Sequence, residues 1–456
     1  MAVIRSISGL RATLGDGLTP ELISNYSSSF AKYLPAGKII IGRDGRPSGK
    51  WIENLVLGTL QACGREIISL GVVPTPTVQL FVEKSDAIGG IIITASHNPS
   101  QWNGLKFLNA DGVFLDESEN KNLWKIYDSK DFSFSKDYQF FDILINNTAI
   151  NSHINSILNL KLLRNSNVLK KLKERKFKII VDAVNSSGSV AITSLLAKLG
   201  CEVIPLYCDG TGFFPHIPEP LPENLTDLAN SVRENKADLG IAVDPDADRL
   251  VLIDESGMPI GEEKTITLAT QCVLENLDYF EFKNGKPIVV VNLSTTRMVD
   301  DVAVKFGGKV VRSAVGEINV VKKMKEVGAI IGGEGSGGVI LPESHYGRDS
   351  LVGTALILSL LAMKDQKLSS ISGQLPSYKM LKFKKEFYGS LEQIIEKIIN
   401  EFPDADIIRE DGIKINLNDS WVQLRKSNTE PIVRVISEAI DENRAKDLAN
   451  KVLSLI

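Results

Sequence analysis

A chain of 456 residues exceeds what one hydrophobic core organises and, at about 100–200 residues per domain, divides into three or four. Its 43% hydrophobic and 24% charged residues fit a soluble globular protein, and a net charge of −4 gives no long-range electrostatic reason to bind nucleic acid or an anionic membrane. Four scattered cysteines indicate neither a disulfide framework nor a zinc site, no apolar run approaches the roughly 18 residues of a membrane span, and the opening MAVIRSISGLRATLG lacks a signal-peptide core, so the expected location is cytoplasmic.

Ser8-Gly9-Leu10-Arg11 precedes a glycine-rich turn and a predicted helix, Leu18 to Leu34. KIIIGRDGRPSG predicts a strand over Lys38 to Ile41 and then a turn, and Trp51 to Cys63 a helix stopped by Gly64. The apolar run Ile91 to Thr94 reads as a buried strand that stops at Ala95-Ser96-His97-Asn98-Pro99, because Pro99 bars its continuation. Ser96 is thereby expected in an exposed loop at a strand end, where open α/β sheets place their ligands. DESENKNLWKIYDSKDFSFSKDYQF reads as polar and irregular, within a boundary segment reaching about Asn151. His153, among polar and aliphatic neighbours, receives no role.

The second domain restarts with a strand over Phe177 to Val184, followed by a helix to Leu199. FFPHIPEPLPEN has four prolines and must be loop, so its His216, with no second ligand at helical or turn spacing, reads as structural. A buried strand, Asp238 to Val243, opens into Asp244-Pro245-Asp246-Ala247-Asp248-Arg249. Three carboxylates this close raise one another's pKa unless a cation compensates them, and an all-oxygen donor set favours a hard cation such as Mg²⁺.

A third domain opens with a strand over Ile288 to Asn292, the turn Ser294-Thr295-Thr296-Arg297 and a helix to Phe306; a strand from Ala329 to Gly332 then ends in GGEGSGGVILPESHYGRD. Three helix ends share a pattern of glycine (Gly64, Gly200, Gly307), a polar step and a short β-branched strand, and each is followed by a further apolar strand that ends in one polar loop. Glycine past a helix end takes the left-handed cap cheaply, so the pattern marks a repeated α/β unit with three loops facing one cleft. The remainder changes character. A helix over Leu391 to Phe402, a hairpin signal at Asp411-Gly412, strands Ile413 to Leu417, Trp421 to Leu424 and Ile432 to Ser437, and a final helix predict a small α+β domain. Between its strands, RKSNTEP offers Arg425, Ser427, Asn428 and Thr429 as donors suited to a phosphate dianion.

TASHNPSQWNGLK, DPDADR, GEGSG and RKSNTEP resemble, in order along nearly the whole chain, the four active-site loops of the α-D-phosphohexomutase family, which comprises phosphoglucomutases, phosphomannomutases and phosphoglucosamine mutases. The resemblance implies a four-domain architecture of three similar α/β domains and a small C-terminal α+β domain around one cleft, with limits at 1–150, 151–257, 258–368 and 369–456. It implies that Ser96 carries the phosphoryl group and that Mg²⁺ is held by Asp244, Asp246 and Asp248 with Ser96. Arg11, Lys106 and Arg249 would stabilise the transferring group, Lys106 being also considered as a base. Glu334 and Ser336 would contact sugar hydroxyls, and Arg425, Ser427, Asn428, Thr429 and Arg434 the second phosphate. Many members carry histidine where this chain has Gly338; His345, seven residues on, is within sequence reach of the same cleft.

The implied activity is interconversion of hexose or hexosamine 6- and 1-phosphates through phosphoserine and a hexose 1,6-bisphosphate, in a monomer or homodimer. PESHYGRD looks most like the phosphoglucosamine mutases, which favours glucosamine phosphates over the phosphomannomutase and phosphoglucomutase alternatives. A regulatory phosphosugar-binding protein would need the Arg425 loop but no aspartate trio. A serine hydrolase is disfavoured because adjacent Ser96 and His97 are not expected to form a nucleophile–base–orienter triad.

Overall fold

The computed structural model describes residues 3–136, 140–164, 166–282, 285–426 and 432–456. Three of its four sheets contain one unit of four strands, in the spatial order second, first, third, fourth. In the first sheet the unit is Glu66–Val72, Lys38–Arg43, Ala87–Ile93 and Trp102–Asn109; in the second, Glu202–Leu206, Lys178–Asp182, Leu239–Val243 and Leu250–Asp254; in the third, Lys309–Ser313, Ile288–Asn292, Ile331–Glu334 and Gly338–Ile340. The first three strands of each unit run parallel and are joined by crossover helices, whereas the fourth returns antiparallel to the third. Only the antiparallel step permits a short connection. The polar loops read from the sequence are these three connections, which therefore occupy equivalent places.

The glycines that marked the repeat have φ of +75°, +89° and +76° at Gly64, Gly200 and Gly307. A side chain there would be strained, so each helix ends where the sequence indicates. The first sheet adds Ile4–Ser6, Gly9–Leu14 and Gly17–Leu18 on one side and Ile143–Ile145 on the other.

The segment read as irregular differs from that expectation. Glu117–Ser129 is a helix whose Asp116 side chain accepts from the Glu119 backbone N–H while Glu119 reaches back to Asp116, a reciprocal cap that holds a predominantly polar sequence helical. Only Asn120 and Leu123 of this helix are buried, which is why its apolar periodicity was too faint to register.

The second and third units share a continuous core. It includes Ile241 and Leu195 from one, Val289 and Ile331 from the other, and Leu356 from the helix Ser350–Lys364, which is apolar on nearly every face and buried along most of its length. The C-terminal part is a five-stranded antiparallel sheet ordered Lys379–Glu386, Ile432–Ala439, Trp421–Lys426, Ile413–Asn416 and Asp406–Ile408, with helices Leu391–Glu401 and Glu442–Leu453 packed against it. Its first and last strands escaped the sequence reading: KMLKFKKE is too charged and Asp-Ile-Ile too short to signal a strand. The Asp411-Gly412 turn lies where expected, with Gly412 at φ +70°. Among the described residues no helix is long and apolar enough to cross a membrane.

Candidate active site

Ser96 stands just past the strand Ala87–Ile93 with φ +51°, a left-handed conformation that a non-glycine residue holds only when its surroundings impose it. Arg46 imposes it. All five guanidinium N–H directions are used: Nε donates to Asp44 Oδ2 (2.9 Å), Nη1 to the carbonyls of Pro99 (2.8 Å) and Trp102 (3.1 Å), and Nη2 to those of Ser96 (2.5 Å) and Asn98 (2.6 Å). Thr94 Oγ1 completes the turn by donating to Asp44 and accepting from the Ser96 N–H. Ser96 is accordingly only 2% exposed, which corrects the expectation for the serine: its loop is exposed at Pro99 to Gln101, but the serine end is wrapped around a buried arginine.

The Ser96 hydroxyl donates to Asp244 Oδ2 at 3.1 Å across the interface between the first two units. Asp244, Asp246 and Asp248 are fully buried, and one carboxylate oxygen from each lies within 4.8 Å of the others. Asp246 Oδ2 accepts from Lys106 Nζ (2.7 Å) and Thr75 Oγ1 (2.8 Å), and Asp248 Oδ2 from Arg348 Nη2 (2.5 Å). Asp246 Oδ1 and Asp248 Oδ1 are buried with no hydrogen-bond partner among the described residues. Orphaned anionic oxygens of this kind are costly, and an all-oxygen set suits a hard divalent cation, so the residues present fit one.

The charges are held unequally. Burial, then the neighbouring charges of Asp248 and Asp246, push the Asp244 carboxyl well above its usual range. Burial pushes Asp246 the same way, but the Lys106 ammonium and the hydroxyl of Thr75 override it and hold the carboxyl below its usual range.

Arg11 Nη1 donates to Asn98 Oδ1 (2.9 Å) in the serine loop, and Arg249 lies with Nε 4.0 Å from Asp244 Oδ2. The Nε atoms of both arginines are buried without a partner among the described residues. His97 Nδ1 lies 3.3 Å from Ser96 Oγ. Its other nitrogen is 3.8 Å from Glu219, too far for an orienting hydrogen bond, so the triad of a serine hydrolase is still not assembled. Burial and the charges of Arg249 and Arg11 push His97 well below its usual pKa.

Glu334, at the end of the third unit's third strand, accepts from Asn292 Nδ2 (2.7 Å) and the Gly316 N–H (3.1 Å) through Oε1 and from Arg348 Nη1 (2.6 Å) through Oε2. Ser336 follows, half-buried, in the same loop. Arg348 also donates through Nε to Glu317 Oε2 (3.0 Å), so one buried guanidinium joins Asp248, Glu334 and Glu317. It also accounts for Gly338: a Cβ there would lie 2.3 Å from Arg348 Cδ. The arginine occupies the space a side chain at 338 would need.

His345 does not reach this cluster. Its Nε2 lies 3.2 Å from Asp349 Oδ2, and His153 Nε2 shares that oxygen at 2.9 Å while its Nδ1 meets Thr77 Oγ1. His153, to which the sequence assigned no role, is thus buried and hydrogen-bonded at both ring nitrogens. His216 is paired with Asp182 and the Ile217 carbonyl, the structural role expected.

Arg425 and Arg434 face each other in the register of the C-terminal sheet. Like charges directly opposed are unfavourable without an anion. Burial, with Arg434 adding to it against Asp411, depresses the Arg425 pKa, and Arg425 Nη1 lies 3.9 Å from Asp411 Oδ2. Asp411 in turn accepts from the Val315 N–H, one residue before the Gly316 N–H that holds Glu334. Ser427, Asn428 and Thr429 lie outside the described residues.

Arg46, Arg348 and Thr75 were not legible as site residues. The first two were visible only as arginines beside aspartates in GRDGR and GRD, a signal without a partner until the chain folds.

Residues 4–134, 151–257, 263–378 and 384–455 match, in order, the alpha/beta/alpha domains I, II and III and the C-terminal domain of phosphoglucomutase/phosphomannomutase. The chain is 33% identical to a probable phosphoglucosamine mutase of Methanopyrus kandleri, over 98% of this chain and 96% of that one. It is 34% identical to a phosphoglucomutase/phosphomannomutase of Thermococcus kodakarensis, over 98% and 97%. A solved phosphoglucomutase/phosphomannomutase family protein from Burkholderia thailandensis shares the fold with a TM-score of 0.85 at 24% identity, over 99% of this chain and 96% of that one.

The five-bond clamp generates a prediction. Arg46→Lys replaces a planar fork by three donors on one nitrogen and strands carbonyls of the serine loop. Breaking a buried pair of this type costs about 3–5 kcal/mol, so the unfolding midpoint in denaturant should fall clearly and turnover with it. An unchanged midpoint would show that the clamp is not what holds the loop.

Proposed function

The chain belongs to the phosphoglucomutase/phosphomannomutase family and is an isomerase of the phosphohexomutase type; we propose that it interconverts glucosamine 6-phosphate and glucosamine 1-phosphate through phospho-Ser96 and the 1,6-bisphosphate. The observation that carries the catalytic part is the contact of Ser96 Oγ with Asp244 inside a buried aspartate trio that has orphaned oxygens. The choice of an amino sugar rests on the PESHYGRD segment and on relatives such as the Methanopyrus kandleri protein; the similarly identical Thermococcus kodakarensis relative keeps glucose and mannose phosphates as the near alternative.

In this reading Ser96 delivers its phosphoryl group to the free hydroxyl of the bound sugar, the bisphosphate turns over in the cleft, and Ser96 recovers the other phosphate. A phosphoryl transition state spreads negative charge over its equatorial oxygens, so positioning and electrostatic stabilisation do most of the catalysis. Asp244, Asp246 and Asp248 would hold Mg²⁺, which when bound would supply positive charge to offset that of the phosphoryl group. Lys106 fixes Asp246, while Arg249 and Arg11 place guanidinium groups beside Ser96. Glu334 and Ser336 orient the sugar hydroxyls. Arg425 and Arg434, with the donors of Ser427, Asn428 and Thr429, take the phosphate that is not being transferred.

The test is turnover by purified protein with Mg²⁺, a trace of hexose bisphosphate, and glucosamine, glucose and mannose phosphates in parallel. The glucosamine ester should be fastest; a much faster mannose phosphate would overturn the substrate assignment. Ser96→Ala should fold and lose turnover, because the hydroxyl is the only covalent carrier in the scheme. Intact-mass analysis should show one phosphate on the bisphosphate-treated wild type and none on the variant. Near-normal turnover by the variant would exclude the phosphoserine cycle.

Arg425 must serve both orientations of the sugar, since either phosphate can be the one not in transfer. Arg425→Ala removes charge-assisted hydrogen bonding worth about 1.5–3 kcal/mol, and kcat/KM should fall roughly tenfold to hundredfold. Unchanged kcat/KM with either substrate ester would remove Arg425 from the phosphate site.

A further inference from the structure

Phosphoryl transfer to a sugar hydroxyl releases a proton, and the reading above leaves it without an acceptor. Lys106 is engaged, its ammonium donating to Asp246 at 2.7 Å and lying 3.8 Å from Asp248. Gly338 has no side chain, and the arginine filling that space has no lone pair to offer. His345 is turned to Asp349, and His97 sits against the serine, on the leaving side of the transfer. Glu317 is different.

Its place is set by both halves of the cleft. Glu317 opens the helix Glu317–Val327 immediately after Gly316, whose N–H holds Glu334, so the backbone itself ties it to the sugar loop. Through Arg348 its Oε2 shares one guanidinium with Glu334 and with Asp248 of the metal loop. Its Oε1 accepts from Gln79 Nε2 at 2.9 Å, on the first unit's helix Thr75–Glu83. The reacting hydroxyl has to lie between the sugar loop and the metal loop, and Glu317 is a carboxylate outside both loops that Arg348 links to Glu334 and to Asp248. Each of its oxygens uses one lone pair in these bonds and keeps another.

Resting on the mutase reading, we propose that Glu317 is the general base and acid of the reaction. As the sugar oxygen forms its bond to phosphorus, its O–H bond breaks and the proton passes to Glu317. The Ser96 Oγ–P bond breaks with its electron pair left on Oγ, which is protonated from solvent water. In the second half the Ser96 hydroxyl attacks the other phosphate and yields its proton to water, while the departing sugar oxygen takes the proton held by Glu317. Water supplies one proton and receives one, and no other reactant is needed.

The surroundings suit the task. Burial, with the charge of Asp248 acting in the same direction against Arg348, Gln79 and Lys106, pushes the Glu317 carboxyl up to about 7, whereas Glu334 on the same guanidinium is held below its usual value. A group half-ionised near neutrality accepts and returns a proton with comparable ease. Because the base must be ionised, kcat/KM should fall as the pH drops through about 7.

The experiment compares wild type, Glu317→Gln and Glu317→Asp, each charged with hexose bisphosphate, on the fastest substrate of the panel. Glu317→Gln keeps the shape and a carbonyl acceptor for Arg348, and its kcat should fall about 10²–10⁴-fold with KM changed little and with the acid limb of the pH profile gone. Glu317→Asp should recover part of kcat and keep that limb. Two results would overturn the proposal: a Glu317→Gln profile with the wild-type acid limb at reduced amplitude, which is what a merely structural role produces, or a wild-type profile with no limb near neutrality, which decides the matter even if a variant fails to fold. Absence of turnover by wild type on every hexose phosphate would instead overturn the mutase reading and this proposal with it.

Discussion

Five carboxylates, Asp244, Asp246, Asp248, Glu317 and Glu334, are buried in one region, and two buried cations pair with four of them. Lys106 comes from the first unit to Asp246, and Arg348 from the third to Asp248, Glu317 and Glu334. Buried ions this close to one another are destabilising unless paired and hydrogen-bonded. The pairing is still incomplete, since the outer oxygens of Asp246 and Asp248 have no partner among the described residues. That unfilled demand is what fits the aspartate trio to a hard divalent cation.

Hydrogen bonds of the loop backbones also join the units. The Thr75 N–H donates to the Asp246 carbonyl at 2.8 Å, Ser350 Oγ donates to the carbonyl of Ala247, and the Leu250 N–H donates to that of Gly337. The aspartate loop is therefore fastened on one side to the first unit and on the other to the third unit, at Ser350 and at the loop that follows Glu334. Each fastening uses the backbone of a loop that joins an antiparallel pair at the same position of a repeated sheet. A shift of any unit would displace carboxylates from their cations, so the geometry of the site and the cohesion of the first three units depend on the same contacts.

The repeated α/β unit was legible because it rests on local signals: a glycine, which takes the left-handed conformation past a helix end without strain, and apolar runs broken by polar loops. The positions of Ser96 and of the aspartates followed from those runs. Arg46 and Arg348 were not legible, because their roles depend on partners to which neither residue's neighbourhood points: for Arg46 the serine loop, 50–56 residues on, and for Arg348 carboxylates 14, 31 and 100 residues back. The burial of Ser96 was missed for the same reason, since an Asn-Pro turn reads as surface unless an arginine is known to fill it. Gly338 illustrates the converse. The missing side chain was visible in the sequence, but its cause, Arg348 Cδ in the same space, is a tertiary fact.

If the unsatisfied aspartate oxygens are what organises the cleft, metal binding should be a property of the protein without substrate. Calorimetric titration of Mg²⁺ into the metal-free wild type should show about one ion per chain, and Asp246→Asn, which removes one of three carboxylate charges, should bind much more weakly. Identical isotherms for wild type and variant, or no binding by either, would contradict the assignment of the trio as a metal site.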